Sequence, residues 1–244
     1  MDLEINRLIK FQSIIRRFIS NKNNIFLKFK SEKIKQEFRN EIKGYHLINS
    51  SPIKESVWEE INRNIVRNEC IITEEANGNH LSGKDNKFDC WTISNKTCKI
   101  EKNKNINISS YRLTTVCNDK SPGNKDNIIK EIEKRDNNFE YYSILLRKEN
   151  KDSIIYYWCI VPKDYYIFNI KNYNLEAKIG KKGIKKDNIV GWKSKYCDIT
   201  FSMSSQLWYH FKLNDIKKYI IDTIQIDIMC PKITYSQIYK LYNN

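Results

Sequence analysis

A chain of 244 residues with 40% hydrophobic and 12% aromatic content can bury one sizeable core, and a single large domain is expected. No apolar run approaches the ~20 residues of a bilayer span, and 30% charged residues argue against a membrane protein. The formal charge of +14 favours a polyanionic partner through counterion release, although a chain so rich in Lys, Asn and Ile, the residues of AT-rich codons, gains lysine without one.

Residues 3–20 place Leu8, Phe11, Ile15 and Phe18 at helical spacing among basic residues, which predicts an amphipathic core or docking helix. Within it, Phe11-Gln12-Ser13-Ile14-Ile15-Arg16-Arg17 is similar to the opening of a calmodulin-binding IQ motif. Arg17 replaces its glycine and Lys22 falls one place late, so a calmodulin-like partner at residues 11–22 is the lesser reading. Met1-Asp2-Leu3-Glu4 carries acids where a secretory signal carries basic residues. The expected location is therefore intracellular and soluble: the cytoplasm, or the nucleus or a viral factory for a eukaryotic or viral source. The seven cysteines are scattered, with no Cys-x-x-Cys pair, and read as reduced, packed thiols. His46, His80 and His210 are too dispersed to suggest a histidine-based metal site.

A second basic helix is expected at about 32–43. Ser51-Pro52 reads as the start of a third, with Val57, Ile61 and Ile65 as its apolar stripe. From Cys70 the period shortens to that of strands: CIIT, KFDCWTISNKTCKI and NINISSYRLTTV. DNIIKEIEKRD reads as a helix, YYSILLRK and SIIYYWCIV as strands, and DYYIFNI as a short strand after Pro162. Residues 178–187 form a basic, Gly-punctuated loop, and LNDIKKYIIDTI closes the pattern as a helix. Helix, three strands, helix, two strands is an α+β arrangement. Three regions follow: an N-terminal basic helical segment (1–50), a core (51–170), and a C-terminal α+β extension (171–244) belonging to the same domain.

The chemistry-bearing stretch is Glu74 to Asp85 followed by Trp91 to Lys96. Phosphodiester hydrolysis calls for a divalent cation on hard oxygen ligands and a positive charge near the developing anion. A carboxylate entering one strand and a lysine on its hairpin partner meet that need. Taken singly, Asp85 in Gly-Lys-Asp-Asn reads as a turn residue and Lys96 as a surface lysine. Together on one hairpin they form a candidate site.

On these residues the chain resembles the PD-(D/E)XK nuclease superfamily, in its restriction-endonuclease-like (type II) branch. Ser82-Gly83-Lys84-Asp85 matches the metal-binding aspartate, Ser94-Asn95-Lys96 the strand with the lysine, and Ile108 to Leu113 the next core strand. The likeness spans roughly residues 54–170. It implies a restriction-endonuclease-like core, a central mixed β-sheet flanked by helices, preceded here by the N-terminal helical segment. It also implies Mg²⁺ and site-specific cleavage of double-stranded DNA, with Asp85, Lys96, Glu75 and Ser94 at the catalytic positions and a possible homodimer. Ser94 departs from the family pattern, which has an acid two places before the lysine. Glu75 is the candidate replacement as metal ligand beside Asp85, with Glu74 and Glu59 or Glu60 as alternatives. A different alignment uses Asp89 with Thr97-Cys98-Lys99.

A DNA-facing surface is expected from Ile199 to Trp208, where Ser204 and Gln206 suit base edges or phosphates, and from nearby Lys193. Arg112 and Ser109, just after the hairpin, are further candidates for DNA contact. The rival reading is a non-catalytic nucleic-acid-binding protein on a decayed nuclease fold.

Overall fold

The structure, a computed structural model, describes residues 25–72, 83–114, 116–117, 123–201 and 205–242, and shows a mixed α/β protein built on two five-stranded sheets. The expected helix over 3–20 and its IQ-like stretch lie outside the described residues. Helices α1 (Ile25–Phe29), α2 (Glu32–Ile48) and α3 (Glu55–Val66) cover one face of the first sheet. In α2 the side chain of Ser31 caps the first turn by accepting from Ile34 N–H, and Ile34, Phe38, Ile42 and His46 are buried. That spacing of four puts one stripe on the sheet.

Helix α3 starts at Glu55, not at the expected Ser51-Pro52. The reason is tertiary. Ile53 is fully buried and its N–H donates to the Tyr156 hydroxyl at 3.2 Å, which holds the chain extended up to Lys54. Of the described residues of the expected strand CIIT, Ile72 makes a single bridge, to Phe88, and Thr73 lies outside the described residues. The long strand predicted next is a hairpin of β1 (Asn86–Phe88) and β2 (Trp91–Lys99). Its turn residue Asp89 has φ +52° and is pinned by Ile71 N–H, which donates to its carboxylate at 2.7 Å.

Strand β3 (Asn105–Arg112) follows β2, but after one bridge between Ile100 and Ile106 it leaves that sheet. Helix α4 (Lys125–Asp136) then returns the chain to β4 (Tyr141–Glu149), which lies parallel to β2. β5 (Ser153–Pro162) runs antiparallel to β4. The expected strand at DYYIFNI is a series of turns that buries Ile167, Phe168 and Ile170; consecutive apolar residues cannot all face one side of a strand.

The C-terminal third completes both sheets. β6 (Glu176–Ile179), β7 (Ile189–Lys193), β8 (Cys197–Thr200) and β9 (Gln206–Lys212) build the second sheet, in the order β3-β9-β8-β7-β6. The helix expected at LNDIKKYIIDTI is one turn only, α5 (Leu213–Ile216). Residues Ile220–Asp227 instead form β10, antiparallel to β5, and close the first sheet as β1-β2-β4-β5-β10. The open edge of β5 and the β-branched run, with Ile221, Ile224 and Ile226 buried, override the helical spacing. Helix α6 (Tyr235–Tyr242) ends the described chain.

Two cores result. One lies between the sheets and takes in Ile128 and Ile132 of α4. The other lies between the first sheet and α1–α3, around Phe29, Phe38, Trp58 and Trp158. No helix among the described residues is long and apolar enough to cross a membrane. All seven cysteines are free thiols, and five are buried.

The Tyr156 hydroxyl ties the second core together, since it also meets His46 Nε2 at 2.9 Å. Tyr156→Phe leaves two buried polar groups without their partner. We expect it to lower unfolding free energy by about 1–3 kcal/mol in urea denaturation; a loss within ~0.3 kcal/mol would refute this account of the 51–54 segment.

Candidate active site

The site forms where β2 lacks a neighbour. Among the described residues β1 covers Trp91 to Ile93 of β2, and that edge is unpaired from Ser94 until β3 comes alongside at Cys98, whose thiol donates to Asn107 O at 2.9 Å. Asp85, one residue before β1, fills the gap. Its N–H donates to Ile93 O at 2.9 Å, and its Oδ2 accepts from Asn95 N–H at 2.5 Å and from the Ser94 hydroxyl at 3.4 Å. The carboxylate thus takes the place of a strand carbonyl. Gly83 permits the approach: its φ is +89°, and a Cβ there would stand 3.2 Å from the Tyr111 ring.

Lys96 is not the surface lysine that its sequence context suggests. Its side chain is only 9% exposed, and Nζ lies 2.9 Å from Glu55 Oε1 at the start of α3. One turn along α3, Glu59 faces the same space. Its carboxyl is pushed above the ordinary range, first by burial and then by repulsion from Asp85 and Glu55, against the pull of Lys96 and Arg63. Asp85 is raised as well. Burial of its carboxylate is the main cause and Glu55 adds to it, while Lys96, the Asn95 N–H and the Ser94 hydroxyl oppose. The residue as a whole is exposed, yet the carboxylate is crowded by protein, and that crowding sets its acidity. The buried Lys96 ammonium thus pairs directly with Glu55 and interacts electrostatically with Asp85 and Glu59. Asn62 donates to Asn95 Oδ1 at 2.7 Å, and among the described residues Asn62 Oδ1 and Asn95 Nδ2 have no partner.

The structure brings Asp85, Ser94 and Lys96 together. Ser94 is buried and serves as a hydrogen-bond donor to Asp85. Glu75, Glu74, His80 and Ser204 lie outside the described residues. Of the other two alternatives, Glu59 faces the site, whereas Glu60 lines a separate cleft of about 450 Å³ with Arg63 and Arg67. Glu55 escaped the sequence reading; its signal was the helical spacing of four from Glu59. The pairing of Asp89 with Lys99 is not formed. Asp89 binds Lys28 at 2.5 Å in the hairpin turn, and Lys99 binds Glu149 at 2.5 Å at the far end of β2.

Among the candidate DNA contacts, Arg112 and Gln206 are register partners on β3 and β9. Tyr111, the neighbour of Arg112 in β3, packs on Gly83, two residues before Asp85. Ser109 accepts a hydrogen bond from the Gln206 side chain, so these two residues engage each other. Lys193 lies three strands away on β7, in register with Asp198.

No three His, Cys, Asp or Glu side chains among the described residues converge as a metal cage. Mg²⁺ does not require one, since it commonly takes one or two carboxylates and keeps several waters. Asp85 and Glu59 supply hard oxygen donors of that kind, and both carboxyls are pushed up, first by burial and further by the neighbouring carboxylates, a repulsion that a cation would relieve. The donor set fits Mg²⁺. No family model matches this chain, and no curated protein or solved structure matches it.

Both carboxyls hold their protons to higher pH in the folded protein than in the unfolded chain. Stability therefore falls as pH rises from the ordinary carboxylate range through the raised values. In chelator at pH 7, Asp85→Asn, whose amide oxygen still accepts from Asn95, should raise the melting temperature, and the gain should shrink near pH 3.5. A lower melting temperature at both pH values would contradict this.

Proposed function

We propose that this protein is a Mg²⁺-dependent endodeoxyribonuclease that cleaves double-stranded DNA, with a restriction-endonuclease-like core. One observation carries the reading: Glu55, Glu59, Asp85 and Lys96, from a helix and a hairpin up to 41 residues apart in sequence, meet at the open edge of β2. The helix α3, the β1–β2 hairpin and β4 parallel to β2 support the core assignment, whereas β3, expected as the next core strand, comes between β2 and α4 and joins the second sheet.

Asp85 and Glu59 would hold Mg²⁺, Glu59 in the role that an acid at Ser94 would otherwise fill. Bound there, the ion supplies a Lewis acid for the phosphate and lowers the pKa of a bound water. Lys96 keeps its ammonium oriented by Glu55 and offers its remaining N–H donors to the attacking water and the developing charge. Ser94 and Asn95 fix Asp85, which keeps the carboxylate from rotating away. Arg112 and Gln206, register partners on β3 and β9, would contact the duplex, in keeping with a net charge of +14. A homodimer would place two such sites on two strands.

A second reading, a nucleic-acid-binding protein without catalysis, is favoured by Ser94 in place of an acid and by the neutralisation of Lys96 by Glu55. Cleavage decides between them. A long mixed-sequence duplex incubated with protein should be cut with Mg²⁺ and stay intact with chelator. Lys96→Ala should slow cutting by roughly 10²–10³-fold, as when one donor to a developing charge is removed. Discrete fragments indicate sequence specificity. Intact duplex under conditions of demonstrated binding selects the second reading.

A further inference from the structure

The second sheet carries a cleft of about 490 Å³ that the carboxylate cluster does not use. Its floor is the outer face of β3 and β9, where Asn105 is in register with Lys212 and Asn107 with His210. The turn between β7 and β8 adds Lys195 and Tyr196, tied to the floor by His210 N–H, which donates to Tyr196 O at 2.8 Å. Asn105 and Arg112 are the two ends of β3, which at the rise of a strand puts the cleft roughly 20 Å from the Arg112 end of that strand.

The donor set is specific in kind. Neither Lys195 nor Lys212 is in an ion pair among the described residues, and the Lys195 ammonium lies 4.9 Å from the Tyr196 ring centroid. The Asp215 carboxylate also lines the cleft and accepts from Lys212 N–H at 2.8 Å. His210 Nδ1 is 2.7 Å from Asn107 Oδ1, which makes Nδ1 the donor and leaves Nε2 an acceptor in the neutral ring. Burial favours that neutral ring, with Lys178 adding to it and Asp198 opposing. Carboxamides present adjacent donors and acceptors that match base edges, lysines suit phosphate, and an aromatic ring offers a surface for stacking. The volume falls within the range of small-molecule sites.

We propose that this cleft binds a nucleoside monophosphate unit, as a free nucleotide or as one residue of a nucleic-acid strand. Lys195 and Lys212 hold the phosphate, and Asn105, Asn107 and His210 hold the base or sugar. The proposal does not depend on hydrolysis at Asp85.

The full chain in chelator is titrated calorimetrically with AMP, CMP, GMP and UMP in turn, with adenosine, and with a single-stranded DNA dodecamer. Saturable binding is expected for at least one mononucleotide or for the dodecamer. It should weaken at least tenfold in Lys195→Ala/Lys212→Ala and in Asn107→Asp, a near-isosteric change at an exposed position. A mononucleotide that binds identifies a free ligand; binding of the dodecamer alone identifies a strand. Saturation by none of them, wild-type affinity in both cleft variants, or adenosine binding as tightly as AMP would overturn the proposal.

Discussion

Strand β2 is asymmetric, and much of the molecule is arranged around that asymmetry. On one edge it pairs with β4 from Ile93 to Lys99, which fixes it in the first sheet. On the other edge β1 covers three residues and stops. An exposed strand edge invites further pairing, and proteins commonly cover or charge it. Here the Asp85 carboxylate accepts from Asn95 N–H in place of a strand, and Lys96 follows with its charge tied to Glu55. The same vacancy that would be a liability in a structural strand becomes the place where acidic and basic groups meet.

Gathering those groups works against stability. Asp85 and Glu59 are both pushed toward their protonated forms, chiefly by burial, and two buried amide atoms, Asn62 Oδ1 and Asn95 Nδ2, have no partner among the described residues. Like charges and orphaned polar atoms are kept where a site requires them, and perturbed groups of this kind cluster at functional sites. The rest of the fold offsets the cost with two apolar cores, one on each face of the first sheet. The aromatic packing of Phe29, Phe38, Trp58 and Trp158 anchors α1–α3, and so fixes the position from which Glu55 and Glu59 reach the edge of β2.

Elements with strong local patterns were legible in the sequence. The helix expected at about 32–43, which runs on to Ile48, the apolar runs of β4 and β5, and the helix at Lys125–Asp136 stand where their sequence patterns put them. Asp85 and Lys96 were legible as a pair because a hairpin sets their separation. What was not legible depends on distant partners. Ile220–Asp227 becomes a strand because β5 offers an open edge, and β3 leaves its neighbour because β9 offers a better one. Glu55 joins the site only because α3 begins beside β2, a start fixed by the buried Ile53–Tyr156 contact and not by the Ser-Pro signal. The cleft at Asn105 and Lys212 likewise needs the cross-strand register of β3 and β9, which no local pattern encodes.

The central claim is that Asp85 and Glu59, contributed by different elements, form one cation site at the edge of β2. Calorimetric titration of Mg²⁺, or of Mn²⁺ as a tighter-binding substitute, into wild type, Asp85→Asn, Glu59→Gln and the double variant tests it directly. The account predicts saturable binding in wild type, a similar large loss in each single variant, and little further loss in the double, as for two ligands of one ion. Equal affinity in wild type and Glu59→Gln, or binding that survives Asp85→Asn, would contradict it.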